Sequence, residues 1–332
     1  GPQGTLYGRN ASSGAIHFLS KTAADENQSR YVDLSLGRFN RVGLTFGFGD
    51  DLNADTRFRL AGRLLTEGAA LENVATDPNI NTAPKAAGGE RREVGLRGSL
   101  FKENVFGGDL LVGAHLELDR GINPTPRNDA LSVGDHQISS EGEGLQDTEN
   151  ELYGASVKWN STWGAWDVQS LTALEGYNQR YGFDFDGTPA PFSVQSLNAN
   201  LSYDRKFLQL SEELHFERRF DWGRSLIGAT GSADTFEQVY LIWCGELDTS
   251  LKIGTCPYVG TAGRVGPTPA STGTPMSLLT LTNQDKVSVA VFSHNEIELT
   301  ERLSLTLGAR LTHERIEGDG RGLHIFDDGT VG

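Results

Sequence analysis

The sequence predicts an all-β protein built as an antiparallel, up-and-down barrel wall. Three observations carry that reading: strict two-residue alternation in segments of about ten residues, connections that alternate short and long, and a near absence of helical periodicity. The clearest alternation runs from Leu303 to Leu311. There Leu303, Leu305, Leu307, Ala309 and Leu311 share one face, and Ser304, Thr306, Gly308 and Arg310 share the other. A second segment sets Leu110, Val112, Ala114, Leu116 and Leu118 against Gly113, His115, Glu117 and Asp119. A third sets Val42, Leu44, Phe46 and Phe48 against Gly43, Thr45 and Gly47. The same pattern recurs at 32–36, 58–64, 94–100, 153–159, 166–174, 208–216, 226–236 and 287–299, about eleven strands in all.

Connection lengths give the topology. GDDLNADT, KENVFGG, NSTWGA, RFDWGRS and LTERL are short, whereas the spans near 66–90, 119–149, 176–205 and 237–284 are long. Short turns at one end and long loops at the other describe an up-and-down barrel. Trp159, Trp163, Trp166 and Trp222 sit beside short turns, where either an interfacial girdle or ordinary rim packing places aromatic residues.

Composition narrows the function classes. Lys and Arg number 29 against 44 Asp and Glu, a net charge of −15, which argues against a nucleic-acid binder. Phe, Tyr and Trp together number 29, too many for a disordered acidic chain. No apolar run is long enough for a membrane helix, but a strand hides its apolar half by alternation, so a membrane barrel stays open. The polar strand faces carry Arg57, Arg59, Arg63, Glu93, Arg97, Glu117, Lys158, Glu213, His215 and Arg310. Unpaired charges are costly in a dry core, so these faces meet either bulk solvent outside a sandwich or a water-filled lumen. The strand pattern alone does not choose between the two.

No catalytic motif is present: HExxH, GxxxxGK[ST], GxSxG and a helix-opening GxGxxG are all missing, so no enzyme is expected. The seven His residues are scattered without zinc-ligand spacing, and no metal or cofactor is expected. Asp184-Phe185-Asp186-Gly187 has the opening of a calcium loop, yet Gln195 stands where a closing carboxylate belongs. The 176–187 segment gathers Tyr177, Arg180, Tyr181, Phe183, Asp184 and Asp186 in what reads as a loop. Large rings with polar tips suit a ligand vestibule, and equally suit loop packing.

The N-terminal segment GPQGTLYGRNASSGAIHFLSK names a family. Gly1, Pro2, Gln3, Gly4, Leu6, Tyr7, Gly8, Arg9, Asn10 and Gly14 match, nearly residue for residue, the RGPQGTLYGRNATGGAI pattern that ends the plug of TonB-dependent outer-membrane receptors. Read from residues alone, the segment is a glycine-rich turn before a strand. RYVDLSLGRFNRVGLTFGFG resembles the family's first barrel hairpin, LQLSEELHF its SQELRL strand, and FSHNEIELTERLSLTLGARLT a later hairpin. The resemblance covers the whole chain and about half the family's length. It implies the end of the plug over 1–21 and the first half of a barrel over 22–332, about eleven of some 22 strands.

The resemblance further implies active import across the outer membrane of a Gram-negative bacterium. A ferric siderophore or other iron complex is the expected ligand, with vitamin B12, haem or oligosaccharide as alternatives, and TonB is engaged through a segment ahead of Gly1. Outer-membrane lipid and lipopolysaccharide are the surrounding partners, and no nucleic acid is expected. The acidic balance sits less easily with an anionic ferric catecholate, which favours arginine-rich walls. A passive porin and a secreted all-β binding module are the rival classes. Arg9 and Asn10 supply polar contacts suited to a hydrated wall, and the glycines and polar residues of 1–16 lack the alternation a wall strand needs, so this segment is expected inside or beneath the barrel curve.

An outer-membrane protein crosses an oxidising periplasm, where disulfides form. Cys244 and Cys256 are the only cysteines, twelve apart in the longest loop, and a bridge between them is favoured over two free thiols or a metal pair. Such a bridge makes a compact extracellular flap, stabilised by roughly 2–3 kcal/mol for so short a loop. Thiol labelling of the intact, non-reduced protein should therefore give no signal at either cysteine, and full labelling of both removes the bridge.

Overall fold

The computed structural model describes residues 19–26, 28–74, 88–123, 134–138, 147–184, 199–244, 247–248, 253–254 and 275–326. Every regular element among them is a strand. In chain order these are β1 (Tyr31–Gly37), β2 (Arg41–Asn53), β3 (Thr56–Glu67), β4 (Glu72–Asn73) and β5 (Arg91–Val105). Then come β6 (Gly108–Ile122), β7 (Gln137–Ile138), β8 (Asp147–Trp163), β9 (Trp166–Asp184) and β10 (Ala199–Phe220). The last are β11 (Gly223–Cys244), β12 (Leu247–Asp248), β13 (Ile253–Gly254), β14 (Pro275–Thr300) and β15 (Leu303–Phe326).

Eleven of these strands make one antiparallel sheet in the order β1-β2-β3-β5-β6-β8-β9-β10-β11-β14-β15. Apart from the short strands held in the loops, each strand pairs with its sequence neighbours, the up-and-down order expected from the connections. The sheet has two edges, β1 and β15, and is not closed. Turns of two residues join β2 to β3, β5 to β6, β8 to β9, β10 to β11 and β14 to β15. In the β5–β6 turn, Phe106 and Gly107 both take positive φ (53° and 77°), the paired left-handed geometry that matches strand twist. At this end Trp163 packs on Trp159 and Phe216, and Phe220 stacks on Trp222 with ring centroids 4.7 Å apart.

At the other end the strands run further than the sequence pattern indicates. The 176–187 segment is not simply a loop: β9 continues to Asp184, and β10 begins at Ala199. The physical reason lies in the faces. Beyond the apolar band both faces are polar, so alternation disappears from the sequence while backbone pairing continues. Here β4 pairs β7 in parallel, with Glu72 N–H donating to His136 O at 2.8 Å and Ile138 fully buried between the loops.

Cross-strand register sorts the side chains onto two faces. One row reads Phe58, Leu100, Val112, Val157, Thr172, Glu212, Gly231 and Val289. It belongs to the apolar face, where Leu303, Leu305, Leu307 and Leu311 are also exposed. Exposed leucines and valines spread over all the long strands in this way form a band, not a core. The opposite face holds the charges. Arg59 and Glu93 are buried there, and Arg310 donates to Thr230 Oγ1 at 2.9 Å. The segment before β1 lies on this polar face: Ala23 N–H donates to Ser99 Oγ at 2.9 Å, and Arg59 donates to Gln28 Oε1 and Ser29 O.

One carboxylate breaks the apolar band. Glu212 sits between exposed Leu210 and Leu214, and Ser170 Oγ and Thr172 Oγ1 on β9 each donate to one of its oxygens. A polar group in such a band is costly unless its hydrogen bonds are made. Thr172→Val should therefore cost about 1–3 kcal/mol, because it strips one donor from the acid. Glu212→Leu, which removes the acid itself, should cost less. Urea unfolding from lipid bilayers checks this, and the reverse order refutes it.

Candidate functional site

The polar face gathers its large rings on the long-loop half of β9, β10 and β11. Alternation puts every second residue of these strands on one face. The pairing then lines up Tyr181, Tyr203 and Tyr240 in one row, and Tyr177, Phe207 and Phe236 in another. Tyr177 stacks on Phe207 with centroids 5.5 Å apart and planes 20° from parallel. Tyr203 meets Tyr240 at 4.8 Å and Tyr181 at 6.3 Å.

Between the two rows lies a polar row of Asn150, Gln179, Arg205 and Gln238. Arg205 Nε donates to Gln238 Oε1 at 2.8 Å, Arg205 Nη1 to Gln179 Oε1 at 3.3 Å, and Gln179 Nε2 to Asn150 Oδ1 at 3.0 Å. The guanidinium carbon also lies 4.2 Å from the Tyr203 ring centroid. Two amide oxygens and a π face hold Arg205 without neutralising its charge, so it stays available to an anion. The arrangement is a platform of rings with one fixed cation at its centre. It suits a ligand that has flat, stackable parts and negative charge.

A second feature lies on the same face toward the short turns, where a cavity of about 740 Å³ is lined by Asn160, Asp167, Gln169, Glu213, His215, Glu217 and Arg224 among others. His215 Nε2 is 2.7 Å from Glu213 Oε1, and Arg224 Nη2 donates to Glu217 Oε2 at 2.6 Å. No group of three or more His, Cys, Asp or Glu among the described residues has metal-site geometry.

Of the residues singled out from sequence, Tyr177 and Tyr181 belong to the platform. Arg180 does not. It faces the opposite side of the sheet, with Nη1 4.0 Å from Glu149 Oε2 and Nη2 3.9 Å from Asp204 Oδ2. Adjacent strand residues cannot share a face, so Arg180 and Tyr181 were never both available to one site. Phe183 and Asp184 end β9, while Asp186, Cys256 and the 1–16 segment lie outside the described residues. The sequence reading missed Tyr203, Arg205, Phe207, Phe236, Gln238 and Tyr240. On β10 and β11 a signal existed: counting back from the tight Asp221–Trp222 turn pairs Tyr203 with Tyr240 and Phe207 with Phe236.

An antiparallel wall with an apolar outer band, a polar inner face and unequal ends defines a membrane-type β-barrel receptor architecture. The family model described as "TonB dependent receptor-like, beta-barrel" matches residues 94–328, and the chain belongs to that family. No curated protein matches the sequence. Among solved structures, the ferric yersiniabactin uptake receptor FyuA from Yersinia pestis superposes with a TM-score of 0.69 at 15% identity, over 98% of this chain and 48% of that one. The ferric-catecholate import receptor Fiu from K12 E. coli gives 0.64 at 13% identity, over 96% and 45%. The ferric preacinetobactin receptor BauA from Acinetobacter baumannii gives 0.58 at 13%, over 98% and 48%. These likenesses are of fold, and the chain spans about half the length of each receptor.

Arg205→Ala should weaken binding of an anionic aromatic ligand by about tenfold or more, the worth of a charged hydrogen bond. Arg180→Ala, on the other face, should leave it unchanged. Quenching of tyrosine and tryptophan fluorescence on titration with an anionic aromatic dye reads both, and equal effects would refute the face assignment.

Proposed function

We propose that this chain is the wall of an outer-membrane, TonB-dependent importer of a ferric siderophore or similar iron complex. The observation that carries the reading is the platform of Tyr177, Tyr181, Tyr203, Phe207 and Tyr240 around Arg205, on the inner face of a wall from this family. Siderophore complexes of the catecholate and phenolate type present flat rings and net negative charge. Rings take the flat parts by stacking, and the fixed guanidinium takes the charge. The solved receptors similar in fold are named for ferric yersiniabactin, ferric catecholates and ferric preacinetobactin, which agrees in chemistry.

The mechanism follows from the two faces. The apolar band lies in hydrocarbon, and the inner face lines a wet lumen. In this reading residues 1–16 are the end of the plug, and the contacts of Ser20, Ala23, Gln28 and Ser29 with Arg97, Ser99 and Arg59 support a chain that reaches β1 from the inner face. Ligand descends from the long-loop end onto the platform. Energy delivered through TonB then shifts the plug, and the polar cavity near Glu213 and His215 lies below the platform on the way to the short-turn end. Rings flanked by Gln179 and Gln238 also suit sugar rings and their hydroxyls, so oligosaccharide is the second reading.

The test is uptake by cells expressing the complete receptor, with radio-iron on a catecholate, a phenolate and a hydroxamate siderophore, and with haem, cobalamin and a labelled oligosaccharide as further arms. Uptake of at least one ferric siderophore, lost without TonB or proton-motive force, is expected. Uptake that persists without TonB makes the protein a passive barrel, and uptake of the oligosaccharide alone gives the second reading.

A further inference from the structure

One row below the rings of Tyr177, Phe207 and Phe236, on the same inner face, runs a row of charge. Cross-strand pairing sets Arg97, His115, Gly154 and Glu175, then Gln209, Asp234 and Lys286, side by side on successive strands. Glu175 lies two residues from Tyr177 along β9, toward the short turns, so this row is the lower edge of the platform. His115 and Glu175 are two strands apart, yet His115 Nε2 lies 3.2 Å from Glu175 Oε2. They meet because the residue between them is Gly154, buried beneath the contact. A Cβ there would push aside both the His115 ring and the Glu175 carboxylate. Glycine is what lets the two groups close over the strand between them.

The groups around the pair come from every neighbouring strand. Arg97 on β5 faces His115 directly, Glu117 lies two residues above it on β6, and Leu152 and Ser156 flank Gly154 on β8. On β9 Ala173 and Tyr177 flank Glu175, and on β10 its partner is Gln209, whose amide donates to Asp234 Oδ2 at 3.4 Å. Arginine and carboxylate side chains hold their charge near neutral pH, whereas imidazole changes its charge between about pH 5 and 8. We propose that His115, held against Glu175 over Gly154, makes ligand binding at the platform pH-dependent, with anionic ligands held more tightly as the imidazole gains its proton. With the imidazole neutral, the Glu175 carboxylate stands uncompensated below Tyr177 and repels an anion seated around Arg205. With it protonated, the pair is neutral and that repulsion is gone. Affinity is therefore full in acidic surroundings and falls as pH rises. This regulation acts on the ring platform and rests on the reading of that platform as a ligand site.

The experiment is fluorescence titration of the complete receptor, in nonionic detergent at low salt, with pyrenetetrasulfonate. This flat anion keeps its charge from about pH 5.5 to pH 8, the range in which imidazole titrates. The wild type should bind it about fivefold more tightly at the lower pH. His115→Gln, uncharged throughout, should show the weaker affinity at both pH values, and His115→Lys, charged throughout, the tighter one at both. Circular dichroism checks the fold of each variant, and the lysine variant serves alone if the glutamine variant does not fold. His294→Gln, which removes another imidazole–carboxylate pair on this face, should keep the wild-type dependence. A wild type indifferent to pH, a dependence that survives in His115→Gln or His115→Lys, or one lost in His294→Gln overturns the proposal. Dye binding that Arg205→Ala leaves unchanged overturns the platform reading itself, a failure distinct from the others.

Discussion

The cross-strand register is the constraint on which the rest of this structure depends. A backbone that crosses a membrane must pair every N–H and C=O within the protein, and a sheet does so only through its neighbours. Once the two-residue turns fix which residue faces which, the side of every side chain is fixed too, because a shift of one residue reverses all of them. The apolar band, the polar inner face and the ring platform are three consequences of one pairing pattern.

That pattern explains how opposite chemistries coexist on single strands. In β10, Leu208, Leu210 and Leu214 turn outward while Gln209, Glu213 and His215 turn inward. Burying the inner charges in a packed core would be costly; lining an aqueous space is not. Glu212 is the instructive departure. It faces the apolar side, and neighbouring hydroxyls from β9 satisfy it. A membrane wall accepts a polar residue outward when the adjacent strand provides its hydrogen bonds.

The same geometry separates two kinds of recognition along one stretch of chain. Tyr181 looks inward to the platform, and Arg180, its immediate neighbour, looks outward to carboxylates. Inward rows carry the platform and the polar contacts; outward rows carry the apolar band and, above it, exposed charges. A change in binding from a substitution here is interpretable only after its face is known.

By itself the sequence determined the all-β class, the eleven-strand count, the sites of the tight turns and the faces of the strands inside the apolar band. Alternation and turn chemistry are local signals, and both are strong there. Its N-terminal motif also pointed to the right family. Only the tertiary structure decided where the strands end and which residues form the platform. Above the band both faces are wet, so the pattern that marks a strand vanishes, and residues 176–184 read as loop although they pair with β8 and β10. The ring contact of Tyr181 with Tyr203 spans the long connection between β9 and β10, whose register no turn sequence sets. It is decided by hydrogen bonds between strands, which belong to the fold and not to any local stretch of chain.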